Sequence, residues 1–115
     1  MAELTLDLKK VGDVTVLYPK GYINAHTVKD FEGRLQSLVE ATQCRIVING
    51  KELNYIASAG LGALMGVIED VRAQQGDIRL AELNQTVFNI FDILGFTHLY
   101  RIFDTVDEAV RSFSP

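Results

Sequence analysis

Residues 46–80 read IVINGKELNYIASAGLGALMGVIEDVRAQQGDIRL, and this stretch decides the fold. Its first three residues, Ile46–Ile48, form a short β-branched run that is typical of a strand buried on both faces of a parallel sheet. Ile78 and Leu80, separated by one polar residue, predict a second strand. With the helical pattern between them, the two strands predict a right-handed crossover unit and therefore parallel pairing.

The helix of this unit is predicted to begin near Ser58, its best N-cap candidate. It is predicted to end at Gly76, in the usual position of a C-terminal glycine. Apolar side chains recur along it at helical spacing and predict one buried face. That face carries Leu61, Leu64, Met65, Ile68 and Val71.

Two antiparallel strands are predicted ahead of this unit. Apolar residues alternate with polar ones over Leu4–Leu8 and again over Val14–Tyr18, and the pair Gly12–Asp13 supplies the turn. Pro19 and Gly21 then predict the end of the second strand. The period-two pattern indicates a half-buried hairpin.

The remaining segments predict three more helices and one more strand. Each of these helices has a polar residue at its start that can accept a hydrogen bond from the first turn. The elements are a helix from Asn24 to about Thr42, a helix from Asn84 to Gly95, a strand near Tyr100–Phe103, and a terminal helix that opens with the capping-box match Thr105–Glu108.

The element order predicts an α/β fold, with a mixed sheet of about five strands and about four helices mainly on one side. An apolar fraction of 48% and a charged fraction of 23% are ordinary for a soluble globular protein. The 115 residues suffice for one core and contain no linker or internal repeat. Residues 1–115 are therefore predicted to form a single domain.

Charge and apolar patterning argue against two classes of partner. A net charge of -4 and the absence of a basic run argue against nucleic acid. No stretch approaches the roughly 20 apolar residues that span a bilayer, and the first residues lack the pattern of a secretory leader. We therefore expect no membrane insertion and a cytoplasmic location.

Neither a metal nor a cofactor is predicted. The lone Cys44 and the distant His26 and His98 do not form a zinc-ligand spacing, and Cys44 is interpreted as a small hydrophobic residue beside a buried strand. Ser58 is not surrounded by the Gly-x-Ser-x-Gly pattern of hydrolases, and no phosphate-binding P-loop is present. The sequence therefore does not indicate an enzyme.

The segment Asn54–Gly62 is the most unusual in the chain, because a strand-like apolar piece leads into small residues at a helix start. The N–H groups of Ala59, Gly60 and Leu61 are predicted to be unpaired there. With the positive end of the helix dipole they would form an anion site, which a phosphate on Ser58 would suit. The structural alternative is that Ser58 only caps the helix and that the glycines only allow close packing.

Nucleotide binding is the enzyme-class alternative. Gly60, Gly62 and Gly66 imitate the glycine spacing of dinucleotide-binding loops, and Glu82 lies at a suitable distance along the chain to hold a ribose. Against this function, the segment Lys51–Asn54 interrupts the strand that should lead straight into the loop.

Three segments of the chain resemble the STAS domain family of bacterial anti-sigma factor antagonists. Tyr55–Gly62 is similar to the family signature, in which an apolar residue and Asp precede Ser, a small residue, Gly, Leu and Gly. Gly21–Ala25 resembles the family's segment before its first helix. Phe88–Ala109 resembles the closing region, above all at Phe91–Phe96 and Phe103–Ala109. The resemblance covers essentially the whole chain, in the family's order.

The resemblance implies a partner-switching function rather than catalysis. An antagonist of this family binds an anti-sigma factor that is also a serine kinase, and the sigma factor is released. The kinase phosphorylates the signature serine, which corresponds to Ser58, and a metal-dependent serine/threonine phosphatase restores the binding form. The residues that the resemblance assigns to partner binding are Asn24, Ala57, Ser58, Ala59, Gly60, Leu61 and Gly62.

Two residues depart from the family pattern. Ala57 stands where the family has the aspartate before the serine, and Asn24 stands where it has an aspartate before the first helix. The missing carboxylate at Ala57 keeps open a second function within the same fold. In that alternative the chain is a STAS scaffold subunit of another signalling or transport assembly, and it is not phosphorylated.

Overall fold

The computed structural model describes residues 3–114. Within this range it contains a six-stranded sheet, four α-helices and one short 3-10 turn. The elements, in chain order, are β1 (Leu4–Val11), β2 (Val14–Ile23), α1 (Val28–Glu40), β3 (Arg45–Asn49), β4 (Leu53–Ile56), α2 (Ser58–Ala73), β5 (Asp77–Ala81), α3 (Gln85–Ile93), the 3-10 turn (Phe96–His98), β6 (Ile102–Phe103) and α4 (Val106–Arg111).

The sheet is mixed, as predicted, and β3 lies at its centre. Its order is β1-β2-β3-β5-β6, with β1 antiparallel to β2 and the other pairs parallel. β4 lies off this path and pairs in parallel with the C-terminal part of β2. The sequence prediction of about five strands lacks β4, because its exposed residues Asn54 and Tyr55 break the apolar pattern.

β2 continues through Pro19 and Gly21, so the predicted end of the strand at these residues is wrong. The N–H of Gly21 donates to the carbonyl of Glu52 (3.1 Å), on the side of β2 where β3 and β4 lie. Backbone N–H directions alternate along a strand, so the nitrogen of Pro19, two residues earlier, faces the same side as the N–H of Gly21. β2 pairs with β3 only as far as Leu17, and it pairs with β4 from Gly21 onwards. The position of Pro19 therefore falls between the segments of β2 that pair with β3 and with β4. Its missing N–H costs no hydrogen bond between strands.

The helices cover the two faces of the sheet unequally. The front face, defined here as the one that α1, α2 and α3 cover, carries the larger core. The prediction of helices mainly on one side is confirmed, because the back face packs against α4 alone, in a smaller core built on Val14, Val16, Val47, Ala81 and Ala109.

Among residues 3–114, no helix has both the length and the apolar character needed to cross a membrane.

The predicted core face of α2 is confirmed with one exception. Leu61, Leu64, Ile68 and Val71 are all buried. The side chain of Met65 is 46% exposed, so its predicted place on that face is wrong. The buried stripe of α2 turns towards Ala63 and Val67 instead, which leaves Met65 on the solvent side.

Two predicted helix caps are confirmed. Asn84 Oδ1 accepts a hydrogen bond from Val87 N (3.0 Å) at the start of α3. Thr105 Oγ1 accepts one from Glu108 N (3.1 Å) at the start of α4. Both caps satisfy an N–H group that the first turn of a helix leaves without a partner.

The end of α2 differs from the prediction. The helix ends at Ala73, and the residue with left-handed backbone is Gln75 (φ 62°), not Gly76. Gly76 is needed for a different reason, because a Cβ atom there would collide with the carbonyl group of Cys44. The glycine thus allows the chain to pass close to the segment that leads into β3.

Tyr100 carries an unpaired hydroxyl into the front core. Its side chain is 1% exposed, and the hydroxyl has no hydrogen-bond partner within the described part of the chain. Burial raises the pKa of this hydroxyl to about 12, with Arg72 lowering the pKa and Asp77 raising it as smaller contributions. A buried hydroxyl left without a partner costs about 1–3 kcal/mol of stability.

We expect Tyr100→Phe to raise the free energy of unfolding by about 1 kcal/mol at neutral pH, because Phe keeps the ring packing without the unpaired hydroxyl. The folded protein holds the Tyr100 proton to about pH 12, whereas an unfolded tyrosine loses it near pH 10. Wild-type stability should therefore fall by about 2–3 kcal/mol as the pH rises through this window, and the variant should lack that component. Urea unfolding across the window measures both effects. Equal stability of the two proteins at neutral pH contradicts the first effect, and a stability difference that does not grow as the pH rises contradicts the second.

Gly60 and Gly62 provide a matched pair for testing the packing of α2. A Cβ atom on Gly60 would lie 2.6 Å from Ile23 Cγ2 and 2.7 Å from Ile56 Cγ1, whereas one on Gly62 would meet nothing within 4 Å. We expect Gly60→Ala to lower the free energy of unfolding by about 1–2 kcal/mol through overpacking. Gly62→Ala should raise it by up to about 1 kcal/mol through helix propensity. Thermal and urea unfolding measure both changes, and equal effects would show that the contacts of Gly60 are unimportant.

Candidate functional site

Ser58 is the first residue of α2, and its side chain is exposed. The N-cap is Ala57, with φ -78° and ψ 165°, so the predicted capping role of Ser58 is wrong. The N–H of Ala57 donates to the carbonyl of Ile23 (2.8 Å), which extends the β2–β4 pairing by one residue and delays the helix start. Ser58 therefore lies on a helical residue and presents its hydroxyl at the surface.

The N-terminus of α2 offers different N–H groups from those predicted. Gly60 N and Leu61 N both donate to the carbonyl of Ala57, at 2.9 and 3.2 Å, so they are not free. The N–H groups of Ser58 and Ala59 have no backbone acceptor among residues 3–114. The first turn of α2 contains no acidic residue, so no carboxylate on it compensates the positive end of the helix dipole.

Asn24 caps a turn instead of a helix. Helix α1 begins at Val28, so the predicted start at Asn24 is wrong. Asn24 Oδ1 accepts hydrogen bonds from His26 N (2.9 Å) and Thr27 N (3.1 Å). Thr27 Oγ1 in return accepts one from Asn24 N (2.9 Å). This reciprocal pair closes the turn that leads from β2 into α1.

The ends of β2 and β4 bring Asn24 and Ser58 to one corner of the molecule. The residues that precede them, Ile23 and Ala57, are joined by the 2.8 Å hydrogen bond. Asn24 Nδ2 donates to Glu3 Oε1 (3.2 Å), which places a carboxylate beside the amide. We call this group of residues, Glu3, Asn24, Ala57, Ser58 and Ala59, the Ser58 corner.

The other residues assigned to partner binding divide into exposed and buried ones. Ala59 and Gly62 are exposed, and Ala57 is half-buried. Gly60 and Leu61 are buried, and the side chain of Leu61 is only 2% exposed. These two residues hold α2 against the sheet, and the surface itself is formed by their neighbours.

A shallow groove adjoins the Ser58 corner on the side of α1. It has a volume of about 180 Å³ and lies between α1 and α2. Ala59, Gly62 and Gly66 line it from α2, and Glu32 and Gln36 line it from α1. The missing side chains on α2 therefore leave the helix backbone open to a close approach.

Three exposed apolar side chains near the corner were missed by the sequence reasoning. Tyr22 and Tyr55 pair across β2 and β4 and are 47% and 45% exposed. Met65 lies two turns along α2 from Ser58. Because side chains alternate along a strand, the apolar Ile23 could have indicated that Tyr22 faces outwards. For Met65 no such signal exists, since its helical spacing matches that of the buried residues of α2.

The glycine spacing does not form a dinucleotide-binding loop. Gly60, Gly62 and Gly66 all lie inside α2, and none lies in a turn between a strand and a helix. Glu82 Oε2 accepts a hydrogen bond from Val106 N (3.0 Å) at the start of α4, so this carboxylate is already engaged. The geometry therefore lends no support to the nucleotide-binding alternative.

Metal-ligating side chains and the Cys44 thiol are the other candidates for chemistry in the described residues. Among residues 3–114, no group of three His, Cys, Asp or Glu side chains could hold a metal ion. Cys44 is 5% exposed, and burial, together with the nearby Asp70, raises the pKa of its thiol. A buried thiol of this kind is a poor nucleophile. Cys44 is a core residue, in agreement with its interpretation from the sequence.

Comparison with known proteins assigns the family. A model of the STAS domain matches residues 5–109. BtrV of Bordetella bronchiseptica, whose name places it among the anti-sigma factor antagonists, is 29% identical over 111 residues, which are 96% of this chain and 94% of BtrV. The anti-sigma-B factor antagonist of Bacillus subtilis is 26% identical over 110 residues, which cover 95% of this chain and 94% of the relative.

Solved structures of antagonists share the fold. An anti-sigma factor antagonist from Mycobacterium paratuberculosis has a TM-score of 0.88 at 18% identity, and the match covers 97% of this chain and 95% of that one. Unphosphorylated SpoIIAA has a TM-score of 0.81 at 21% identity, with 94% of this chain and 95% of that one covered. At these identities the structures show the fold alone. Since the family model spans nearly the whole chain and the sheet and helices agree with it, the chain belongs to the STAS domain family.

Proposed function

We propose that this chain is an anti-sigma factor antagonist whose binding to its partner is controlled by phosphorylation of Ser58. In its unphosphorylated form it binds an anti-sigma factor that is also a serine kinase, and the sigma factor is released. The kinase phosphorylates Ser58 and so ends the complex. A metal-dependent serine/threonine phosphatase restores the binding form. The names of the relatives support the antagonist function, and the chain itself catalyses no step.

The position of Ser58 carries the proposal. A kinase needs an accessible hydroxyl, and Ser58 is exposed at the first position of α2. A phosphate attached there lies next to the free N–H groups of Ser58 and Ala59, at the positive end of a 16-residue helix. The modified residue is therefore compatible with the fold as it stands, and no refolding is required to accommodate it.

We place the partner surface at the Ser58 corner and on the adjoining exposed side of α2. Small side chains at Ala57, Ala59 and Gly62 allow a close approach, and the exposed Met65 adds apolar area. In a close-fitting interface a phosphate of about -1.5 to -2 charges has to be desolvated or paired. Phosphorylation therefore opposes binding through the interface.

Ala57 favours a second candidate function. The signature carboxylate before the serine is missing, and if that acid orients the serine for the kinase, phosphotransfer to Ser58 is slow without it. The alternative is a STAS scaffold subunit that binds a protein of another signalling or transport assembly through the same corner, with no phosphorylation of Ser58. The two functions differ in whether Ser58 accepts a phosphate.

We expect Ser58→Asp to weaken binding to the anti-sigma factor kinase by about tenfold or more, because a charge enters the interface. Its free energy of unfolding should change by less than about 1 kcal/mol, since Asp in the first turn suits the helix dipole. Ser58→Ala should bind like the wild-type protein, with little change in stability because Ser58 caps nothing, and should accept no phosphate. Calorimetric titration with the kinase and urea unfolding measure these outcomes.

Ser37→Asp is the matched control, because it places the same charge on an exposed serine of α1. This variant should bind the kinase with unchanged affinity. Site mapping by mass spectrometry after incubation with the kinase and Mg-ATP supplies a second readout. If no phosphate appears on Ser58 and Ser58→Asp binds like the wild-type protein, the phosphorylation switch is excluded. The scaffold function is then the better account.

A further inference from the structure

A cleft opens in the region where β2 leaves β3 and joins β4. Its volume is about 440 Å³, and Pro19 lines it at the point where the two neighbours of β2 separate. Tyr18 and Asn49 reach it from the back face, at the margin of the small core that α4 covers. We call this space the split-sheet cleft.

Asn49, the last residue of β3, lines this cleft and has an unused donor. The residue is only 7% exposed. Asn49 Oδ1 accepts a hydrogen bond from Lys51 N (2.8 Å). Because a backbone N–H can only donate, this contact fixes the oxygen, and the amide nitrogen points the other way. The nitrogen has no acceptor among residues 3–114 and is not one of the fully buried unpaired atoms, so it is accessible to an acceptor from outside the chain.

Lysine side chains supply positive charge around this amide. Lys9, Lys20 and Lys51 line the cleft with the acids Asp7 and Glu52. Lys20 Nζ lies 3.7 Å from Glu52 Oε2, in a loose ion pair. Within the described part of the chain, Lys9 and Lys51 have no ion-pair partner. The cleft thus has an excess of cations in a protein whose net charge is -4.

We propose that the split-sheet cleft binds a small organic oxyanion, with one oxygen on Asn49 Nδ2 and its charge near Lys9 and Lys51. Amide and ammonium donors together match the acceptors of a carboxylate or a phosphate monoester. The volume suits a small metabolite. Asp7 and Glu52 disfavour anions of high charge and can accept hydrogen bonds from ligand hydroxyl groups. The cleft shares no residue with the Ser58 corner, so ligand binding there is independent of the proposed function.

Nuclear magnetic resonance of ¹⁵N-labelled protein tests the proposal, with inorganic phosphate and acetate as two separate probes and sodium chloride at equal ionic strength as the reference. We expect saturable shifts of the Asn49 side-chain amide and of the Lys51 and Glu52 backbone amides. A response to phosphate alone identifies a phosphate ligand, and a response to acetate identifies a carboxylate. If neither probe shifts the Asn49 side chain beyond the sodium chloride reference, the proposal is wrong.

Two variants remove the ligand contacts separately. Asn49→Asp keeps the acceptor for Lys51 N but replaces the donor with a carboxylate, and it should abolish saturable binding. Lys51→Gln should raise the dissociation constant about fivefold or more, and it does not alter a buried group. Lys29→Gln is the matched control, because Lys29 is an exposed lysine of α1 outside the cleft, and it should bind like the wild-type protein. Equal weakening in Lys29→Gln and Lys51→Gln would show general charge screening and refute a defined site.

Discussion

The hydrogen bond from Ala57 N to the carbonyl of Ile23, 2.8 Å long, joins the end of β4 to the end of β2. It holds Ala57 in an extended conformation, so α2 begins only at Ser58. The same junction seats Gly60 against Ile23 and Ile56, where an added Cβ atom would lie only 2.6 and 2.7 Å from atoms of these side chains. The exposure of Ser58 therefore follows from strand pairing at the preceding residue, and not from a capping preference of serine.

β2 can form this junction because it exchanges one neighbour for another along its length. Its first half pairs with β3 and its last residues pair with β4, and Pro19 lies between the two regions where no N–H is needed. The exchange has two consequences. It carries Ile23 and Asn24 to the corner where α2 starts, and it leaves a gap in the sheet beside Asn49. The Ser58 corner and the split-sheet cleft thus have the same structural origin.

The parts of the structure that were predictable from the sequence depend on local patterns. Parallel pairing and the buried row of α2 follow from periodicity, and the caps at Asn84 and Thr105 involve donors only three residues away. The cap predicted at Ser58 is wrong because the bond of its neighbour Ala57 to Ile23, far away in the sequence, decides where α2 starts. The cap predicted at Asn24 is wrong for a local reason, because Asn24 and Thr27 close a separate turn before α1 begins. The strand β4 has only two buried residues, too few for a periodic signal. The cleft draws its side chains from separate strands, so no local pattern could predict it.

On the proposed function, the switch must act through the interface and not through the fold. Within residues 3–114 the N–H groups of Ser58 and Ala59 have no backbone acceptor, and the first turn of α2 contains no acid that would repel a phosphate. At the same corner, Glu3 accepts a hydrogen bond from Asn24 Nδ2, so one carboxylate lies beside the amide. If a phosphate on Ser58 is accommodated in this way, its effect on affinity depends on how closely the partner approaches. The small residues Ala59 and Gly62 allow a close approach, so in the proposed complex the charge would be buried and would oppose binding.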